Sequence, residues 1–171
     1  MSEQLILIAV GADKVGLVEQ ISDFIQQYGG NIEDSKMAVL AGEFAFIVLI
    51  TGNVSAITEN TQSLSAETGL DIYIRRPGER KKIQASRPYR FAASCMDHPG
   101  VVHRLSTTLS DLGINIESME TKTYMAPDSG SPIFRMEATL SIPASVNISQ
   151  LRNTLDEIEK RENIDIDLSS L

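Results

Sequence analysis

The 171-residue sequence has one cysteine, no tryptophan and no long apolar run. A single cysteine, Cys95, excludes an intrachain disulfide framework and favours a reducing compartment. No apolar stretch approaches the roughly 20 residues that a membrane-spanning helix needs. The first residues lack the basic start and the cleavage site of a secretory signal. We therefore expect a cytoplasmic protein with no membrane partner.

Positive charge is also scarce, because the sequence carries a formal net charge of −8. This balance disfavours non-specific attraction to nucleic acid. Residues 75–90 are the exception: they hold seven of the fifteen basic residues and a single acid, Glu79, so they carry +6 and the remainder carries −14. We interpret residues 77–87 as a basic linker, and a patch for nucleic acid or an acidic partner is the alternative.

The sequence lacks the local motifs of common catalytic and metal sites. It contains no Gly-x-Ser-x-Gly nucleophile motif and no phosphate-binding loop. His98 and His103 are five positions apart, about 140° around a helix, so they do not converge as zinc ligands would. Cys95 stands at the end of a predicted strand, where a buried apolar role is favoured over a nucleophilic one. We expect no catalytic residue, no metal site and no cofactor.

One segment is present twice. Residues 13–33 and 97–117 match at an offset of 84 positions. The identical pairs are Asp13 and Asp97, Gly16 and Gly100, Val18 and Val102, Ser22 and Ser106, Gly29 and Gly113, Asn31 and Asn115, Ile32 and Ile116, and Glu33 and Glu117. Two copies of one module therefore make up the chain.

Each copy has the pattern strand, helix, strand, strand, helix, strand. Residues 5–10 form a short apolar run, Asp13 stands where a helix N-cap is expected, and Gly29 follows the end of that helix. Residues 41–43 predict a tight turn, which residues 126–132 replace with a longer loop in the second copy. This order predicts an α+β protein with two tandem ferredoxin-like βαββαβ domains, residues 1–76 and 88–171, each an antiparallel sheet with helices on one face.

The first helix of each copy is amphipathic. Its apolar residues recur at i, i+3, i+7 and i+10, which is one face of an α-helix. They are Val18, Ile21, Ile25 and Tyr28 in the first copy, and Val102, Leu105, Leu109 and Leu112 in the second. The same spacing places Val54, Ile57, Thr61 and Leu64, and Ile148, Leu151, Leu155 and Ile158, on one face of each second helix.

The sequences D-x-P-G-V-V at Asp97–Val102 and G-x-N-I at Gly113–Ile116 resemble the signature of ACT domains. Two such modules in tandem, with no other domain attached, are similar to the glycine cleavage system transcriptional repressor family. The resemblance implies a non-enzymatic regulatory protein that senses a small amino acid, with glycine or serine as candidates. It further implies control of a transcription factor or a metabolic enzyme by protein contact.

The repeated motif has the chemistry to bind an amino acid. A helix N-terminus offers unpaired N–H groups and partial positive charge to a carboxylate, and an aspartate can accept the ammonium. The resemblance implies a ligand site between the loop before the helix and the Gly-Asn segment of a neighbouring module. Its residues are Asp13, Gly16, Leu17, Asn31 and Ile32 in the first copy, and Asp97, His98, Gly100, Val101, Asn115 and Ile116 in the second.

The alternative interpretation of the motif requires no ligand. Aspartate would cap the helix, glycine would form the turn, and the Gly-Asn pair would end the helix and begin a strand. The copies also differ at one position, because Val15 stands where the second copy has Pro99. Since proline fixes φ at a helix start, we do not expect equal ligand affinity at the two copies.

Three other hypotheses follow from the sequence. A direct nucleic-acid-binding role would act through residues 75–90, although no helix-turn-helix pattern is present. An enzymatic role is disfavoured, because nothing in the printed sequence supplies a second, catalytic domain. Unpaired edge strands invite pairing, either within the chain or with a second chain, and we expect a homodimer.

Overall fold

The computed structural model describes residues 3–78 and 85–171. The chain divides into two compact units, residues 1–81 and 82–171, and each contains one copy of the repeat. We call them module 1 and module 2. Module 1 contains β1 (Gln4–Ala12), α1 (Leu17–Gln27), β2 (Gly30–Leu40), β3 (Glu43–Gly52), α2 (Val54–Thr68) and β4 (Asp71–Arg75). Module 2 contains β5 (Ser86–Met96), α3 (Val101–Asp111), β6 (Asn115–Met125), β7 (Pro132–Pro143), α4 (Ile148–Glu162) and β8 (Asp165–Ser170).

Each module has one four-stranded sheet in which all neighbours are antiparallel. The strand orders are β2-β3-β1-β4 and β6-β7-β5-β8. Alternate residues of β1, such as Leu5, Leu7 and Ala9, are buried and face the helices. In β5 the same pattern buries Phe91 and Cys95. The predicted ferredoxin-like fold class is confirmed.

The buried face of α1 differs from the predicted face at one end. Ile21 and Ile25 are buried as expected, but Val18 is 42% exposed and Leu17 is buried in its place. Leu17 and Ile21 are four residues apart, and the predicted pair, Val18 and Ile21, are three apart, so either pair can share a helix face. The prediction was wrong at Val18 because the sequence alone does not distinguish two adjacent apolar residues at a helix start.

The N-cap prediction for α1 was also wrong. Asp13 lies three residues before the actual N-cap, which is Gly16. The Asp13 backbone N–H instead donates to the carbonyl of Gly42 at 2.9 Å, so this residue joins the helix entrance to the β2–β3 turn. In that turn Ala41 and Gly42 both have positive φ, 52° and 85°, which fits the predicted tight hairpin.

The predicted basic linker falls partly on residues 79–84, which lie outside the described residues. On either side of them, β4 ends at Arg75 and β5 begins at Ser86. The linker bounds therefore stay a prediction. Among the helices that the structure describes, none combines the length and the apolar character needed to cross a bilayer.

Candidate functional site

The first helix of each module begins at a glycine in the left-handed region. Gly16 has φ 92° and ψ −2°, and Gly100 has φ 90° and ψ 3°. Neither α1 nor α3 has a side-chain hydrogen bond at its N-cap. The first backbone N–H groups of a helix have no partner within the helix, so these two entrances present donors and partial positive charge.

The second helix of each module is capped differently. The Asn53 side chain accepts a hydrogen bond from the N–H of Ala56 at 3.2 Å, at the start of α2. The Asn147 side chain accepts from the N–H groups of Ser149 and Gln150 at 2.9 and 3.3 Å, at the start of α4. In both modules the second helix therefore has a side-chain cap and the first helix does not.

The entrance of module 1 is an exposed turn. Lys14 Nζ donates to the carbonyl of Thr68 at 3.0 Å, and the Val15 side chain is fully exposed. Gly16 adopts nearly the same φ as Gly100 although Val15 replaces Pro99. The left-handed turn therefore does not depend on the proline.

The entrance of module 2 is covered by a guanidinium group. Arg104 Nη2 donates to His98 Nδ1 at 2.8 Å and to the carbonyl of Pro99 at 3.4 Å. Because arginine only donates, this contact has the His98 ring accepting at Nδ1. Arg104 Nε lies 3.1 Å from Glu162 Oε2, in the geometry of an ion pair rather than of an aligned hydrogen bond. These contacts hold the positive group against the turn at Gly100.

The position of Arg104 was missed in the sequence analysis. It follows Gly100 by four residues, so it lies one helical turn above the entrance, and its equivalent in module 1 is Gln20. The preceding residue is His103 in module 2 and Glu19 in module 1. Comparing the copies for charge as well as for identity would have found this difference. It places a positively charged side chain at the module 2 entrance and an uncharged one at the equivalent position of module 1.

The predicted apolar site residues are parts of the core. Leu17 is 2% exposed and Val101 is 3% exposed, so only their backbone groups can reach a ligand at the entrance. Ile32 and Ile116 are half-buried and pack against the cores of their modules. Asp13 and Asp97 are exposed beside the entrances, where a carboxylate can meet an ammonium group.

The Gly-Asn segments form a second, repeated arrangement. Asn31 Nδ2 donates to Glu33 Oε1 at 3.1 Å, and Asn115 Nδ2 donates to Glu117 Oε1 at 2.8 Å. Both glutamates lie where the register of the edge strand shifts by one residue, as in a β-bulge. In module 1 the same Glu33 oxygen also accepts from Thr51 Oγ1 at 2.9 Å.

The two halves of the motif lie at opposite ends of each module. Asp13 contacts the β2–β3 turn, whereas Asn31 pairs with Thr51 at the other end of β3. Leu40 at the turn is nine positions along the extended strand from Asn31, so the two residues are about 30 Å apart. Within one module, the two halves therefore cannot contribute to a single site.

Cys95 is buried on the core face of β5, as the sequence analysis expected. Burial raises the pKa of its thiol, and the nearby Asp97 carboxylate raises it further. A raised pKa keeps the thiol neutral, which is unsuited to a nucleophile. Within residues 3–78 and 85–171, no three side chains of histidine, cysteine, aspartate or glutamate lie close enough to share a metal ion.

Comparison with known protein families gives a match in each module. ACT domain profiles match residues 3–74 and residues 90–123. The glycine cleavage system transcriptional repressor of Escherichia coli is 30% identical over 150 residues, which cover 86% of this chain and 79% of that protein.

Two solved structures share the whole fold. The crystal structure of an unknown protein from Galdieria sulphuraria is 29% identical, with a TM-score of 0.87 over 100% of this chain and 99% of that one. A candidate glycine cleavage system transcriptional repressor has a TM-score of 0.74 at 20% identity, over 100% of this chain and 98% of that one. The second likeness, at this identity, concerns the fold alone.

Proposed function

Because the chain belongs to the tandem ACT-domain family of the glycine cleavage system transcriptional repressor, we propose that it is a non-enzymatic regulator that binds a small amino acid. Glycine or serine is the proposed ligand, and the proposed target is transcription, reached through contact with another protein. The name of the Escherichia coli relative supports a role in transcription. The helix entrances without a side-chain cap support the binding of an amino acid.

The observation that carries this proposal is the absence of a side-chain cap at both entrances, Gly16 and Gly100. A ligand carboxylate would accept hydrogen bonds from the free N–H groups, as anions do at helix N-termini. At module 2 it would also meet Arg104, whose Nη1 lies 3.1 Å from the position that a Cβ on Gly100 would take. Charge-assisted hydrogen bonds of this kind are the strong ones, so module 2 is the proposed higher-affinity site.

The ammonium of the ligand would be held by a carboxylate. Asp97 is exposed beside the module 2 entrance, and Asp13 has the same place in module 1. The amide groups of Asn31 and Asn115 would contribute from a module of a second chain, because the two halves of the motif are far apart within one module. Such a shared site would couple ligand binding to dimerisation.

The surface for protein contact is proposed to be the long edge strands β2 and β6. Both strands are 11 residues long and lie at the end of their sheets. Met37 on β2 and Met119 on β6 are 52% and 45% exposed. Apolar side chains on an open strand edge favour pairing with another chain, either a second copy or the regulated protein.

Titration calorimetry with glycine and serine tests the proposal on the full chain. We expect saturable binding that Arg104→Gln weakens about tenfold, because a hydrogen bond to a charged group contributes about 1.5–3 kcal/mol. Lys160→Gln, which removes an exposed positive charge from α4, is the matched control and should leave the affinity unchanged. Absence of binding at millimolar concentrations of any of the twenty amino acids would remove the sensing role.

A further inference from the structure

The two modules differ on the sheet face that the helices leave uncovered, which we call the open face. The strand registers assign equivalent positions in the two sheets. Module 1 carries Ile6, Ile8, Val10, Ala45, Ile47, Leu49 and Tyr73 on its open face. At the same positions module 2 carries Arg90, Ala92, Ser94, Arg135, Glu137, Thr139 and Asp167. At these seven positions module 1 is apolar, whereas module 2 carries mainly polar and charged side chains.

A cleft of about 310 Å³ lies on the open face of module 2. Ala92 and Ser94 on the central strand β5 have small side chains, whereas longer side chains line the cleft from the flanking strands. In module 1 the equivalents of the two small residues are Ile8 and Val10, which are bulkier. The volume is at the lower end of the range for small-molecule sites.

Opposite charges flank this cleft. Ser94 pairs with Arg135 of β7 on one side and with Asp165 of β8 on the other. Because neighbouring strands are about 4.8 Å apart, the backbones of Arg135 and Asp165 are about 10 Å apart. Asp167, two residues along β8, projects from the same face and also lines the cleft. The cleft is therefore positive at one wall and negative at the other.

The Arg135 side chain is held in place by its neighbour on the same strand. Its Nε and Nη2 both donate to Glu137 Oε1, at 3.0 and 2.7 Å. Hydrogen bonding to Arg135 and the charge of Arg135 lower the pKa of the Glu137 carboxyl, so this carboxyl stays charged at neutral pH. Arg135 Nη1 has no partner among residues 3–78 and 85–171, which leaves its donors for a ligand.

The negative wall is also fixed. Glu159 of α4 accepts a hydrogen bond from the backbone N–H of Ile166 at 2.6 Å, which ties the start of β8 to the helix. Asp165 and Asp167 lie on either side of this anchor point. One side chain at each wall is thus fixed by hydrogen bonds within module 2: Arg135 by Glu137, and Glu159 by the Ile166 N–H.

We propose that this cleft binds a small zwitterion, with its carboxylate at Arg135 and its ammonium at Asp165 and Asp167. An anion alone would face the carboxylates of Asp165, Asp167 and Glu159, which all line the cleft, and a cation alone would face the guanidinium of Arg135. A molecule with both charges therefore fits best. The inference is independent of the function proposed above, because every residue of the cleft belongs to module 2 and none belongs to a helix entrance.

Calorimetry of the full chain with three matched probes tests the chemistry. The zwitterion 4-aminobutyrate should bind, and butyrate or butylamine, each lacking one of its charges, should bind at least about tenfold more weakly. Equal affinity for the three probes, or no saturable binding of 4-aminobutyrate at millimolar concentration, would overturn the proposal.

Variants taken from the repeat locate the site. Asp165→Asn should weaken 4-aminobutyrate binding about tenfold, while Asp71→Asn, the same change at the equivalent position of module 1, should leave it unchanged. Ala92→Ile with Ser94→Val, which installs the module 1 residues, should abolish binding. If that double variant does not fold, Asp165→Asn decides, and equal effects of Asp165→Asn and Asp71→Asn would overturn the assignment.

Discussion

A glycine with positive φ starts the first helix of each module, and its missing side chain has two consequences. The left-handed conformation costs other residues about 1–2 kcal/mol, so glycine is the residue that allows this turn. The missing Cβ also leaves space between the turn and the side chain above it. At Gly100 that side chain is Arg104, and at Gly16 it is Gln20.

Substitution of Gly100 separates these two effects. Gly100→Ala should destabilise module 2 by about 1–2 kcal/mol from φ alone, plus the cost of moving Arg104 Nη1, which lies 3.1 Å from the new Cβ. Gly113→Ala is the matched control, because Gly113 also has positive φ but a Cβ there meets nothing within 4 Å. Urea unfolding should therefore give a larger loss for Gly100→Ala. Equal losses would show that Arg104 does not press on this turn.

Cys95 permits a second test at the scale of one residue. Its thiol is buried and its pKa is raised above the ordinary value, first by burial and then by Asp97. The neutral thiol thus favours the folded state below the ordinary thiol pKa, and this contribution is lost as the pH rises through the raised pKa.

We expect native Cys95 to react with a thiol-specific disulfide reagent far more slowly at pH 8 than the same residue does in urea. The reagent's colour change, followed with time, measures both rates. A native rate equal to that of the unfolded chain would contradict the burial of this thiol and the direction of its pKa shift.

At the scale of elements, each module has one helix with a side-chain cap and one without. The second helices begin at Asn53 and Asn147, whose side chains accept backbone N–H groups. The first helices begin at glycine and have no such bond. A ligand carboxylate at the first helix would do for α1 or α3 what asparagine does for α2 or α4.

The capping role of Asn147 has a measurable size. Asn147→Ala should cost about 1 kcal/mol of stability, and Asn147→Gly should cost only a few tenths, because glycine is tolerated at an N-cap whereas alanine is not. Thermal unfolding of the two variants beside the natural chain gives the comparison. If alanine and glycine cost the same, the Asn147 side chain is not the cap.

The elements also show what the sequence could and could not predict. Periodicity predicted the order of strands and helices, since one face of each element has to be buried. It misplaced the start of α1, because Leu17 and Val18 are both apolar and Asp13 has the side chain of a good N-cap. The position of Arg104 depends on contacts with His98 and Glu162, which periodicity does not contain.

The cleft on module 2 also could not be predicted from the sequence. Ala92 and Ser94 are unremarkable in the sequence, and they define a cleft only because Arg135 and Asp165 flank them across the sheet. The register that aligns these strands is a tertiary property. Once the register is known, it places Arg135 and Asp165 on either side of Ser94.

At the scale of the whole molecule, each sheet ends in one long edge strand, β2 or β6, and we expect the chain to form a homodimer through one of these strands. Light scattering should give a mass about twice the 18.7 kDa of one chain. Val39→Lys places a charge on β2, where Val39 is 43% exposed, and should shift the mass toward one chain. Gln62→Lys on the exposed side of α2 adds the same charge and should not. A mass of one chain for the natural protein would contradict this assembly.

We propose that the whole molecule is regulated by a small amino acid bound at the helix entrances, and NMR can test this binding residue by residue. Backbone amide chemical shifts of the full chain, recorded by NMR while glycine or serine is added, locate the bound ligand. We expect saturable changes in the amide chemical shifts of Gly100, Val101 and Val102, with smaller changes at Gly16 and Leu17. If these amides stay unmoved at millimolar ligand, the helix entrances do not bind an amino acid and the proposed sensing role is contradicted.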